Sequence, residues 1–208
     1  GDMTAPSAAH GLLICVSGPS GVGKGTIIRE VLRRRPGMAH SISVTTRAPR
    51  PGEQHGVDYY FSDRDSFRRM LEAGEILEHD IYCDHFYGTP LKPLQQLVAA
   101  GTDVLLDITV PGSLAVMENY PDCVTLCLLP PSLTELERRL SKRGTETAEV
   151  MQKRLAKARE EVNMASCFQY VVVNDDLAET ARQILAIIDA EHCRYARLAG
   201  IEETILAR

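Results

Sequence analysis

Apolar residues run along this chain in two rhythms. "LLICVS" over 12–17, "DVLLDI" over 103–108 and "CVTLCLL" over 123–129 are near-continuous apolar runs. Runs of that kind suit strands buried on both faces of a parallel sheet. Elsewhere apolar positions recur three and four apart, which predicts helices over 24–35, 63–73, 146–163 and 177–197. Ser62 stands where it would introduce the second of these. Thr89 is placed as the cap of another helix, with Pro90 at its first position. Ser132, with Glu135 three residues on, has the spacing of a capping box. "YVVV" over 170–173 reads as a strand between the last two long helices.

Strands alternating with helices predict an α/β fold, a parallel-sheet core with helices on both faces. The middle third breaks this rhythm. "SISVTT" over 41–46 and "DYYF" over 58–61 read as short strands, and "EILEHDIY" over 75–82 as extended chain. Residues 41–89 therefore form a small mixed α+β lobe, and 11–40 with 90–197 form the core. Within the core, about 134–160 is a charged helical stretch with a glycine turn and few large apolar residues, which suits a mobile lid. Residues 1–10 and 198–208 are tails.

Composition narrows the functions open to such a fold. Of 208 residues, 44% are hydrophobic, enough to bury one good core. A net charge of −5 argues against general binding to nucleic acid or anionic membranes. Aromatics at 5%, with no Trp, argue against a stacking platform for single strands. No apolar run reaches membrane-spanning length. The first residues are small and polar, unlike a signal peptide. Six cysteines at 15, 83, 123, 127, 167 and 193 form neither C-x-x-C nor a zinc pattern. They read as reduced thiols in a cytoplasmic protein.

The chemistry starts after the first strand, at Gly18-Pro19-Ser20-Gly21-Val22-Gly23-Lys24-Gly25-Thr26. Gly18, Gly23 and Lys24 satisfy G-x-x-x-x-G-K. Small residues let backbone N–H groups wrap a phosphate, the following helix adds its positive end, and Lys24 adds a full charge. Gly25 stands where a magnesium-binding hydroxyl usually follows the lysine, and Thr26 lies one residue on. Mg²⁺ keeps several waters and needs few protein ligands, so this spelling does not preclude it. In the next lobe, Arg47 and Arg50 flank a turn held open by Pro49 and Pro51. Two guanidinium forks set this way suit a phosphate dianion.

The ordered pieces "GPSGVGKGT", "SVTTRAPRPGE", "GVDYYF", "FYGTP", "LPPSLTELERRL", "RGTET" and "VNDD" cover roughly residues 11–197. In that order they resemble the guanylate kinase family. The resemblance implies Mg²⁺-dependent transfer of a phosphoryl group from ATP to GMP, with a P-loop core, a GMP-binding lobe and a lid. It places Ser43, Arg47, Arg50, Tyr59, Glu78, Tyr87, Thr89 and Asp107 on the GMP side. Arg47, Arg50, Tyr59 and Tyr87 would hold the phosphate; Ser43, Glu78 and Thr89 would read the guanine. The base chemistry agrees. Guanine offers N1–H and a 2-amino group side by side, which one carboxylate accepts, whereas adenine N1 is an acceptor that a carboxylate repels.

On the donor side, Asp107 ends a parallel-strand run, a position suited to Mg²⁺ or its waters together with Thr26. The resemblance implies roles near the transferred phosphoryl for Arg139, Arg143 and Arg154, and a place near the ATP base for Asn174. The family often carries a second acid two residues after the first; here Thr109 and Pro111 stand in "DITVPG". Two rival readings remain open. One is a catalytically inactive interaction module of the same fold, which usually lacks the intact loop and arginines present here. The other is a different nucleoside monophosphate kinase sharing "GKGT", against which the acceptor-lobe motifs argue. ATP and GMP are the partners implied, without nucleic acid or membrane, in a monomer or homodimer.

Overall fold

The computed structural model describes residues 10–142, 144 and 147–208. Strand β1 (Leu13–Ser17) is buried along its whole length and lies in the middle of a parallel sheet. The sheet runs β2 (Ala39–His40), β7 (Val104–Asp107), β1, β8 (Val124–Leu129), β9 (Tyr170–Val173). Alternation along the central strand divides the core. Leu12, Ile14 and Val16 pack on one face with Ile27, Ile28 and Val31 of α1 (Lys24–Arg34) and Ala181, Ile184 and Ile188 of α7 (Leu177–His192). Leu13 and Cys15 pack on the other with Leu94 and Val98 of α3 (Leu91–Ala99) and Val116 of α4 (Val110–Asn119). Each such Leu or Ile contributes about 1.5–3 kcal/mol by leaving water. Helices thus cover both faces, as the apolar runs required.

Register decides what emerges at the carboxyl edge. Val16 pairs with Asp107 and Ser17 with Cys127, so the loop after β1 and the Asp107 side chain leave the sheet at one level. This edge is where open parallel sheets place ligands.

A second sheet runs β4 (Tyr60–Phe61), β3 (Val44–Thr45), β6 (His85–Pro90), β5 (Ile76–Tyr82). It is mixed: β3 and β4 are parallel, the other pairs antiparallel. Helix α2 (Arg64–Glu72) covers it through buried Phe67, stacked on Phe86 at 5.4 Å. Cys83 and Asp84, at φ 50 and 64, make the two-residue left-handed turn that joins β5 to β6. Helices α5 (Leu133–Ser141) and α6 (Ala148–Asn163) pack on each other through Leu136, Leu140, Leu155 and Ala158.

Several expectations change. Asp63, not Ser62, caps α2: its carboxylate accepts from Ser66 N at 2.6 Å. Thr89 caps no helix. It lies in β6, its hydroxyl donates to Glu78 at 2.7 Å, and α3 starts after Pro90 without a side-chain cap. Ser132 does accept from Glu135 N at 3.0 Å, but the Glu135 carboxylate turns to Arg138 and Arg139, so only half the capping box forms. The helix expected over 177–197 stops at His192, and a 3₁₀ turn follows at Tyr195–Arg197. The sequence reading names no helix over 110–119, where α4 forms. Pro111 sits in its first turn, where the missing N–H breaks no helical bond. Helix α8 (Ile201–Leu206) lies in the expected tail.

Candidate active site

The loop between β1 and α1 takes its shape from glycines and from what lies beneath it. Gly21 and Gly23 are left-handed, at φ 86 and 92. A Cβ at Gly21 would meet Leu140 of α5 at 2.6 Å, and one at Gly18 would meet the Leu128 carbonyl at 2.6 Å. Gly25 differs: a Cβ there meets nothing closer than Arg29 Nη1 at 3.6 Å, so packing does not demand this glycine. Helix α1 begins with no side-chain cap and no acid in its first turn. Its first N–H groups and positive end therefore face the loop uncompensated, the state suited to a phosphate.

Three side chains grip the loop from below and beside it. The Val22 carbonyl accepts from Asn174 Nδ2 at 2.7 Å and from Arg139 Nη1 at 3.2 Å. Arg139 Nη2 also donates to the Asn174 carbonyl at 3.0 Å. From α6, Arg154 Nη2 donates to Ser20 Oγ at 3.0 Å. Asn174 is buried and its amide oxygen accepts from Thr180 at 3.1 Å, so both ends of the amide are engaged. Its side chain supports the loop from inside. Arg143 lies outside the described residues.

Lys24 Nζ pairs with Asp107 Oδ1 at 2.7 Å and donates to the Ile108 carbonyl at 3.3 Å. Beyond it, Ser17 Oγ lies 2.6 Å from Ser113 Oγ and donates to the Ile108 carbonyl at 2.8 Å. Thr109 caps α4, accepting from Gly112 N at 3.1 Å. The Thr26 hydroxyl is at the exposed end of the loop and accepts from Arg29 at 3.3 Å. Asp107 and Thr26 offer the oxygen donors that Mg²⁺ prefers, and one carboxylate beside substrate phosphates is a common set for it. Among the described residues no group of three or more His, Cys, Asp or Glu stands ready to hold a metal unaided.

On the second sheet the register shifts between Ile76 and His79, where β5 carries one residue more than β6. The shift re-aims Glu78 off the strand face. Its Oε1 accepts from Thr89, and its Oε2 lies 3.1 Å from where a Cβ on Gly112 would be. Burial pushes the Glu78 carboxyl up, and the Thr89 bond opposes that shift. Thr89 is fully buried. Across the same sheet, Arg47 stands over the Tyr59 ring at 5.2 Å, and Tyr59 meets Tyr87 edge-on at 6.1 Å. Arg50 is exposed beside it, and Ser43 is half-buried just before β3. The sequence reading missed Glu53, whose carboxylate takes both Nη atoms of Arg47 at 2.8 and 3.0 Å. "RPGE" was the available signal, because a turn at Pro51-Gly52 folds the fourth residue back on the first.

Residues 107–112 join the two halves. One end holds Lys24 through Asp107, and the other meets Glu78 at Gly112. Two surface concavities, of about 540 and 400 Å³, border Arg47 and the α5–α6 side.

Comparison with known proteins agrees with this geometry. The sequence model of the family described as guanylate kinase matches residues 11–191. A guanylate kinase of Desulfitobacterium hafniense is 46% identical over 188 residues, 90% of this chain and 94% of that protein. One from Thermus thermophilus is 48% identical over 199 residues, 96% of this chain and 90% of the other. The crystal structure of guanylate kinase from Anaplasma phagocytophilum superposes with a TM-score of 0.75 at 36% identity, covering 97% of this chain and 96% of that one. No helix among the described residues is long and apolar enough to cross a membrane. With loop, acceptor sheet and whole-length similarity in accord, the chain belongs to the guanylate kinase family, and its activity is ATP:GMP phosphotransfer.

Proposed function

We propose that the transfer is an in-line displacement whose parts meet at residues 107–112. A GMP phosphate oxygen attacks the γ-phosphorus of ATP, a new P–O bond forms, and the bond to the β-phosphate oxygen breaks. ADP and GDP leave. The loop N–H groups and Lys24 hold the donor phosphates. Arg139 and Arg154 bring charge to the phosphoryl oxygens as the transition state develops, and by resemblance Arg143 joins them. Arg47 and Arg50 hold the acceptor phosphate with the Tyr59 and Tyr87 hydroxyls. Glu78 accepts from guanine N1–H and the 2-amino group. Thr89 donates a hydrogen bond to Glu78 and fixes that carboxylate, which leaves the Ser43 hydroxyl to donate to the 6-oxygen. Asn174 buttresses the loop. Asp107 and Thr26 would hold Mg²⁺, directly or through water, and the ion would neutralise charge on the ATP phosphates.

The observation that carries this reading is the segment between Lys24–Asp107 and Gly112–Glu78, which brings the loop lysine and the base-reading carboxylate to one stretch of chain. The free cysteines and net charge support a cytoplasmic enzyme without nucleic-acid partners. The test is ADP release from ATP and Mg²⁺ with GMP, AMP, UMP or CMP as acceptor. GMP should be favoured by orders of magnitude. Equal rates with AMP would end the assignment of Glu78 as the base reader.

A further inference from the structure

One face of β1 is apolar until the strand's last residue. Leu13 and Cys15 pack with Val116 of α4, but Ser17, next on that face, is a fully buried hydroxyl. On α4, Ser113 stands one turn before Val116 and is equally buried. The two meet, Oγ to Oγ, at 2.6 Å. Replacing both partners of such a pair by apolar groups of the same shape is nearly neutral for stability, so packing alone does not call for two hydroxyls here.

The direction of the bond follows from the acceptors around it. Ser17 Oγ also lies 2.8 Å from the Ile108 carbonyl and 3.1 Å from the Thr109 carbonyl. A hydroxyl has one proton. If Ser17 gave it to Ser113, its lone pairs would face two carbonyl oxygens. Ser17 therefore donates to Ile108, and Ser113 donates to Ser17. The Thr109 carbonyl is served by Ser113 N at 3.0 Å. The Ile108 carbonyl takes a second donor, Lys24 Nζ at 3.3 Å. A one-way chain thus runs from Ser113 through Ser17 to Ile108, and each bond polarises the next. It ends on the carbonyl that the loop lysine uses.

An ammonium has three protons. Asp107 Oδ1, 2.7 Å from Lys24 Nζ, takes one and Ile108 takes the second. With two directions set, tetrahedral geometry sets the third. We propose that Ser17 and Ser113 are positioning residues for the phosphoryl transfer. They fix the Ile108 carbonyl, and through it they aim the Lys24 proton that neither Asp107 nor Ile108 takes at the donor phosphates. This rests on the assignment of Lys24 to those phosphates. A plain tie between helix and sheet would need only the bond between the two hydroxyls. Here the proton of Ser17 leaves the pair for the carbonyl shared with Lys24.

The test compares the parent with Ser17→Ala, Ser113→Ala, the double change, and Ser17→Ala in a Lys24→Met background, by steady-state kinetics and thermal melts. Thr125→Ala is the structural control: Thr125 is a buried hydroxyl on the neighbouring β8 and accepts from Gln169 N at 3.0 Å. Ser17→Ala should lower kcat about tenfold, the scale of one hydrogen bond. KM for GMP should move under about twofold, because a misaimed lysine costs most where charge develops on the phosphoryl group. Ser113→Ala should lower kcat by less, about threefold, since the Ser17–Ile108 bond survives. It carries the test if Ser17→Ala melts below the assay temperature. The double change should fall no more than about twofold beyond Ser17→Ala, and Ser17→Ala should add less than about twofold without Lys24. Thr125→Ala should melt lower than the parent with kcat within about twofold of it. Parental kcat in both serine variants would overturn the proposal. So would an undiminished fall in the Lys24→Met background, or an equal fall in the Thr125 control, because the loss would then follow stability and not the lysine. Parental turnover in Lys24→Met itself would instead overturn the assignment of Lys24.

Discussion

At neutral pH the Glu78 carboxylate sits half-buried against Gly112, with the Thr89 hydroxyl as its hydrogen-bond donor. Its two oxygens are unequally served: Oε1 accepts from Thr89, and Oε2 lies beside Gly112. That arrangement suits recognition and opposes folding. Burial disfavours the charged form, so the folded-state pKa lies above the unfolded one. A raised carboxyl pKa means the folded protein binds the proton more readily. The charge therefore penalises stability most at pH well above the folded pKa, and the penalty is relieved as pH falls through it. Glu78→Gln keeps the Thr89 bond and removes the charge. It should melt above the parent at pH 8, with the gap narrowing as the buffer is made more acidic; thermal melts followed by circular dichroism across pH check this. The same variant should lose at least about tenfold in efficiency with GMP, roughly 1.4 kcal/mol, while AMP stays level or improves. A variant that melts lower at every pH would show that the carboxylate supports the fold. Equal losses for both nucleotides would say the same of its role in the site.

At the scale of elements, α4 shows how a local device carries a site. Thr109 accepts from Gly112 N, Pro111 occupies the first turn, and the helix axis starts beside Glu78. Thr109 stands where the family often has a second acid, and Asp is as good an N-cap as Thr. The departure therefore preserves the helix start. Thr109→Ala should remove about 1 kcal/mol of stability and lower the melting temperature by about 2–4 °C. Thr109→Asp should melt close to the parent. Scanning calorimetry of the two variants separates these outcomes, and equal melting of Ala and parent would deny the cap its role. Because α4 also aligns Gly112 under Glu78, the Ala variant should weaken GMP more than ATP.

Across the whole molecule, the core is tied at the edge opposite the phosphate loop. Buried Glu191 accepts from Arg194, Arg197 and Tyr170, and Arg194 and Arg197 hold its carboxyl down at about 2 together with the tyrosine. His192 pairs with Asp103, which accepts from Leu12 N at 2.8 Å. Arg35 pairs with Asp189 at 2.7 Å. These ties join the end of α7 to the starts of β7 and β9 and to the end of α1, at the edge opposite the phosphate loop. The second sheet and the α5–α6 pair are joined to the core at the ligand edge instead, through Glu78 at Gly112 and Arg154 at Ser20. Motion should be concentrated there, since water must be excluded from the γ-phosphoryl. Small-angle scattering with a bisubstrate analogue should give a smaller radius of gyration than the protein alone. An unchanged radius, with binding confirmed by calorimetry, would deny the closure.

The sequence alone determined the parts whose cause is local. An unbroken apolar run followed by Gly18, Gly23 and Lys24 specifies strand, phosphate loop and helix, because backbone sterics and charge act within a few residues. The same holds for Arg47 and Arg50 around their prolines and for the alternation that builds the parallel core. Tertiary structure decided the rest. Thr89 reads as a helix cap until a shift in the β5–β6 register sets it against Glu78. Asn174 reads as a residue after a strand until β9 pairs with β8 and carries it under Val22. Glu78 and Gly112 are far apart in the chain and meet because α4 packs against β5. Hydrogen bonds of this kind depend on strand order and register, and those are fixed by the packing of the whole core, which no single segment encodes.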